Sequence, residues 1–186
     1  MKHQEQIERL IKLRACSSAV KYAKQYKSSQ KAWDDCDRGE WMLWYLGKLA
    51  GKPESKSRKK LVLCASKCAR LSLKYVSRGE KRPLRAIETA EGWAFNKGGV
   101  TLGDVRAAAD AAYAASAANT AYAASSAAAS AASAAASAAY AASAADAAYA
   151  AASAAASAAY AASAADAKTQ NKCAKIVREF YPKPPN

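Results

Sequence analysis

At 186 residues the chain is long enough for one domain with a full core, and a formal net charge of +14 with a pI near 9.6 points to an anionic partner. The charge is uneven: residues 1–106 carry +13, residues 107–167 carry −3, and the tail from Lys168 carries +4. No signal peptide or membrane span is expected, because charges interrupt Ile7, Leu10 and Ile11, and the alanine-rich middle lacks Leu, Ile, Val and Phe.

In chain order, Ile7, Leu10, Ile11, Cys16, Ala19, Val20 and Ala23 recur mostly at three- and four-residue steps, a helical stripe with a break expected near Ser17-Ser18. Ser28 or Ser29 suits the cap of a short helix through Trp33. Asp37-Arg-Gly-Glu40 reads as a capping box before a helix from Trp41 to Leu49, which Gly51 and Pro53 end. Ser57 is expected to open the next helix, whose stripe is Leu61, Cys64, Cys68, Leu71 and Tyr75, with Gly79 closing it. Pro83 fits the first position of a helix bearing Leu84, Ile87 and Ala94, closed by Gly98-Gly99. Thr101 and Asp104 form a second capping-box pair.

Residues 107–167 comprise 61 positions, of which 41 are alanine, so helix is the expected state. Ala131–Ala147 and Ala151–Ala167 are the same seventeen residues offset by twenty. Twenty residues turn a helix by about 200°, so in one straight helix the two copies face opposite sides. A tract that folds back, with alanine faces packed closely and Tyr140 filling gaps, is the expectation. Asn119-Thr120 and Ser125-Ser126 are the expected breaks. Cys173, Ile176, Val177 and Phe180 restore an ordinary stripe before a Pro-rich end. The predicted fold is all-α, a helical bundle with a closely packed Ala-rich segment. It is organised as a basic N-terminal region over residues 1–100, an Ala/Ser/Tyr-rich region over residues 101–167 and a C-terminal helix with its tail over residues 168–186, in one compact unit. Because alanine faces pair between chains as readily as within one, oligomeric state is left open.

Catalytic material is scarce. The single histidine, His3, falls in a terminus expected to fray, which leaves no Ser-His-Asp or Cys-His set, and no enzyme or cofactor is predicted. The odd number of cysteines, five without framework spacing, reads as free thiols in a reducing, cytoplasmic compartment. Cys64 and Cys68 share a helical face but lack the further ligands of a zinc site, so they read as buried apolar thiols. Asp34, Asp35, Asp37 and Glu40 read as helix-start chemistry before a cation site. Trp33, Trp41, Trp44 and Tyr45 offer a stacking platform, although aromatics at helical spacing are more often core.

The basic runs supply the candidate anion site: Arg58, Lys59 and Lys60 at one helix start, and Lys81, Arg82 and Arg85 at another, with Arg38 joining if its helix start is exposed. Trp41 and Trp44 are the candidate stacking residues. A solvated basic face is the plain alternative. Phosphate-loop, helix-turn-helix and aromatic RNA-binding motifs are lacking.

The run Trp33-Asp-Asp-Cys36-Asp-Arg38-Gly39-Glu-Trp41-Met-Leu-Trp44, with Leu61-Val-Leu-Cys64, Cys68-Ala-Arg-Leu71, Pro83-Leu-Arg-Ala-Ile87-Glu and Val105-Arg106 opening an Ala/Tyr tract, resembles the alanine-rich immunity proteins of bacteria and their phages. The resemblance covers most of the chain, and the Arg38-Gly39-Glu40-Trp41 neighbourhood is its specific portion. It implies a non-catalytic protein that neutralises an antagonist by binding it, either an effector protein or an anionic small molecule such as a nucleotide. A phage protein of this kind would counter host defence. Nucleic acid is the alternative partner.

Overall fold

The computed structural model describes residues 2–52, 54–71, 73–75, 78–105, 107–108 and 167–185. Among them 71% are helical and none lies in a strand, against about one third helix in an average domain, which makes the fold all-α. No described helix is long and apolar enough to cross a membrane. The elements are α1 (His3–Lys12), α2 (Ser17–Lys24), α3 (Ser29–Asp35), α4 (Gly39–Leu49), α5 (Lys56–Arg70), a 3-10 turn (Leu73–Tyr75), α6 (Arg82–Ala94) and α7 (Ala167–Phe180).

The expected break after α1 falls at Arg14, three residues before Ser17. Arg14 adopts φ 61°, while Ala15 N–H donates to Leu10 O and Arg14 N–H to Ile11 O, both at 2.9 Å. That pattern is a Schellman stop, and here it is made without glycine. Ser28 caps α3 by accepting from Lys31 N–H. The chain reaches α4 without a box at Asp37: Arg38 occupies the cap position and no side chain caps it locally. Instead Glu40 N–H lies 3.4 Å from Gln170 Oε1, and Gln170 Nε2 donates to Glu40 Oε2 at 3.0 Å, so α7 supplies the polar partner from 130 residues away.

The cap of α5 is Ser55, which accepts from Arg58 N–H; Ser57 Oγ accepts from Gly51 N–H. This helix stops at Arg70, short of the expected Gly79, because Leu71 N–H tightens onto Cys68 O and the chain passes into the 3-10 turn. Pro83 is the second residue of α6, one place after the first position expected of it and still within the first turn, where its missing N–H costs no helical bond. Its stop is Asn96, at φ 55°, ahead of Gly98-Gly99, with Lys97 N–H on Gly92 O and Asn96 N–H on Trp93 O. The Thr101–Asp104 box forms: Thr101 N–H and Oγ1–H both donate to Asp104, and Asp104 N–H returns to Thr101 Oγ1.

The principal core joins Met42, Leu43, Tyr45 and Leu46 of α4 to Leu61, Cys64 and Cys68 of α5 and to Cys173, Ala174 and Val177 of α7. The other face of α5 carries Val62 against Ala90, Trp93 and Ala94 of α6 and Val105. Close packing of α7 on α4 depends on Gly39: a Cβ there would stand 2.5 Å from Cys173 Cβ and 2.8 Å from Ala174 N. The end of α7 fastens α3 as well. Arg178 Nη1 donates to Cys36 O at 2.6 Å, and Trp33 Nε1 donates to Tyr181 O at 2.8 Å. The repeated cassette, its folding back and the breaks expected at 119–120 and 125–126 lie outside the described residues. Of the tract's flanks, Ala108 packs on Ala86 and α7 lies in the core.

Candidate functional site: an aromatic cavity

A cavity of about 670 Å³ lies between α1–α3 and the first two turns of α4. That volume is within the range of small-molecule sites, about 300–1,000 Å³. From α1 it is lined by His3, Gln6, Ile7 and Leu10, and from α2 by Ala19, Tyr22 and Ala23. The opposite wall is Trp33, Cys36, Arg38 and Glu40, continued along α4 by Trp41, Met42, Trp44 and Tyr45. Helical spacing explains the α4 wall: residues 41, 44 and 45 share a face, one turn apart.

Tyr22 and Trp41 meet with ring centroids 5.6 Å apart at 55°. The Tyr22 hydroxyl donates to Ala32 O at 3.2 Å, and burial, with a smaller push from Tyr26, holds its pKa far above the usual phenol range. Arg38 stacks its guanidinium 5.0 Å from the Trp41 ring centre, and its side chain is 43% exposed, so this end of the cavity meets solvent. Glu40 accepts from Arg38 Nε at 3.0 Å and from Nη2, and Gln170 braces that carboxylate. Nη1 of Arg38 has no partner among the described residues. Burial pushes the Cys36 thiol up to about 11, so at neutral pH it is a neutral wall group.

Two lining residues each hold a polar atom that is enclosed by packed protein without a hydrogen-bond partner, Tyr45 OH and His3 Nε2. Tyr45 is 4% exposed. His3 does not fray: it opens α1, and its Nδ1 pairs with Ser29 Oγ at 2.9 Å, which fixes the ring and leaves Nε2 free. Leaving a buried polar group unsatisfied costs roughly 1–3 kcal/mol, so each calls for a reason.

The anion residues named from sequence do not converge. Arg38 alone borders the cavity, with Trp41 and Trp44 half-buried on its wall; Lys48 Nζ lies 5.6 Å from the Trp44 ring centre. Arg58 is 2% exposed and donates to Ala50 O and Gly51 O, closing the end of α4, so its guanidinium is turned away from any surface ligand. Lys59 pairs with Glu54 and Asn96 and lies over Trp93, and Lys60 lies over Tyr181. Arg82 is engaged by Glu80, while the side chains of Lys81 and Arg85 are exposed. Since α5 and α6 run antiparallel, with Lys59 beside Asn96 and Ala69 beside Ile87, the two basic runs stand at opposite ends of the pair, about 20 Å apart by helix rise.

The acidic cluster is rearranged too. Asp34 and Asp35 sit at the end of α3, accepting from Gln30 and Lys31 one turn back, where helix-start chemistry had been expected. Cys64 and Cys68 are buried, as expected of apolar thiols, and all five cysteines are unpaired. Among the described residues no group of three or more His, Cys, Asp and Glu is placed to hold a metal ion. Comparison of the chain with protein-family models, with curated proteins and with solved structures finds no match.

Sequence reasoning missed the cavity and the roles of His3, Gln6 and Tyr22 in it. The only available signal was the unusual density of aromatics over 22–45, and it did not say that a second helical layer stands off from them.

Proposed function

We propose that this chain is a non-enzymatic binding protein of the immunity or counter-defence type, which neutralises an effector by sequestering an anionic, nucleotide-like small molecule. The observation that carries the reading is the aromatic cavity with Arg38 stacked on Trp41 at its solvent end. Flat aromatic walls take a base, and a guanidinium at the mouth takes a phosphate through the donors that its bonds from Nε and Nη2 to Glu40 leave over. The net charge of +14 favours approach of an anion, and most of it lies in residues 1–106, which include the cavity. The chain's resemblance to immunity proteins agrees with capture without turnover. The reading is of a cytoplasmic protein, and five unpaired cysteines support it. A nucleic-acid groove has less support, since the two basic runs occupy opposite ends of α5–α6.

The test is native mass spectrometry of the purified protein, followed by calorimetric titration with mono-, di- and cyclic nucleotides. Retention or micromolar binding of a nucleotide, weakened several-fold in Arg38→Gln, is the expected result. Absence of binding to every nucleotide, with tight capture of an effector protein instead, would overturn it.

A further inference from the structure

We infer that the cavity takes a nucleotide whose phosphate carries a single negative charge, a phosphodiester, and that Glu40 sets this limit by answering the charge of Arg38. The inference rests on the nucleotide reading above and adds which phosphate chemistry the site selects.

Charge is sparse along the cavity wall. Among its described lining residues Arg38 is the single arginine or lysine and Glu40 the single carboxylate. Arg38 Nε, at 3.0 Å, and Nη2 both donate to one oxygen of Glu40. The other oxygen accepts from Gln170 Nε2, and only 12% of the Glu40 side chain is exposed, so the carboxylate is held in place beside the arginine. The pair leaves the mouth near neutral while the half-exposed guanidinium keeps donors on its open side. Neighbouring cations do not alter that balance. Arg178 reaches the same wall from α7, but its Nη1 donates to Trp33 O and Cys36 O, where Asp37 adds a negative charge. Lys48 lies over Trp44, about 15 Å along α4 from Arg38 by helix rise, and is not among the lining residues. A phosphate monoester carries about −1.5 to −2 at pH 7, because its second pKa is about 6, whereas a diester carries one charge. One charge suits a guanidinium already partly answered by a carboxylate; a second would lie against Glu40 with no cation of its own. Hydrogen bonding points the same way. A diester presents two unesterified oxygens, the number a guanidinium fork takes, and the third oxygen of a monoester finds no donor on this wall among the described residues.

The experiment is calorimetric titration at about 150 mM salt, where long-range charge is screened. The probes are the 5′-monophosphate of each of the four common nucleosides, its methyl ester, the 3′,5′-cyclic monophosphate and the 5′-triphosphate. The methyl ester keeps base, sugar and phosphate position and removes one charge, so it separates charge from size. Expected is about fivefold tighter binding of the methyl ester than of the monophosphate, with the triphosphate no tighter than the monophosphate. In Glu40→Gln, which keeps an oxygen for Gln170, that preference should disappear. A cyclic form tighter than the methyl ester supports a cyclic source of the diester, and the reverse supports a linear one. A monophosphate or triphosphate that binds as tightly as the methyl ester, or more tightly, overturns the inference while the nucleotide reading stands. A Glu40→Gln protein that melts as wild type does and keeps the full preference also overturns it. Should that variant not fold, the wild-type series decides alone. If wild type binds no nucleotide, the functional reading fails and the inference falls with it.

Discussion

The two halves of the described structure are built to different standards. In α4, α5 and α7 the helices touch with no slack: Gly39 is there because no Cβ fits, and Val62, Cys64, Ala174 and Val177 have no solvent exposure at all. The layer of α1–α3 buries far less of itself, chiefly Gln6, Ile7, Ala23 and Trp33, and stands off from α4 across the cavity. The difference teaches where a small protein can keep a void. An empty space is tolerable beside a layer held at its edges, here by Arg178 on Cys36 O and by Trp33 on Tyr181 O, and not inside a three-helix core.

Mutations can break or sharpen that contrast. The largest effect is expected from Leu61→Ala in the tight half, about 4 kcal/mol by urea denaturation, against about 2 kcal/mol for Ile7→Ala, whose side chain already faces a void. Equal losses would show that the cavity wall is packed as closely as the core. Gly39→Ala is expected to cost about 2 kcal/mol, because the new methyl must push α7 away from α4. A neutral result would mean that α7 rides more loosely than its contacts imply. Arg58→Met should lower stability by about 2 kcal/mol through the orphaned Ala50 and Gly51 carbonyls and leave nucleotide titrations unchanged, which separates this arginine from the site.

In the loose half, Arg14→Gly should stabilise by about 1 kcal/mol, since a left-handed turn costs an L-residue that much and glycine little. The smallest effect is chemical. At pH 8, iodoacetamide should label the exposed Cys16 and spare Cys36, read by peptide mass spectrometry. The folded-state value of Cys36 is raised, so its neutral thiol contributes stability below the ordinary thiol value of about 9. That contribution is lost as pH rises through about 11. Rapid labelling of Cys36 at pH 8 would show that the cavity wall opens.

Local chemistry was the legible portion. Ser28, Pro83 and the Thr101–Asp104 box act within three or four residues of themselves, and they form as their spacing predicts. The stripe Cys173, Ile176, Val177 and Phe180 also faces the core as its period requires. The reading failed wherever a distant partner intervened. Asp37 looked like a cap until Gln170 took the place beside Glu40, and Arg58 looked like an anion ligand until it closed the end of α4. His3, set aside as terminal, is anchored by Ser29.

By itself, then, the sequence determined the helical class, the positions of most helices and the basic character of the chain, because periodicity, propensity and charge are properties of neighbouring residues. Only the tertiary structure decided which basic groups could act together. It set Arg38 beside Trp41 at a cavity, buried Arg58, and sent Arg82 and Arg85 to the far end of α6. Those outcomes follow from helix order and crossing, and from an α7 that contacts residues more than a hundred positions away, which no local pattern encodes.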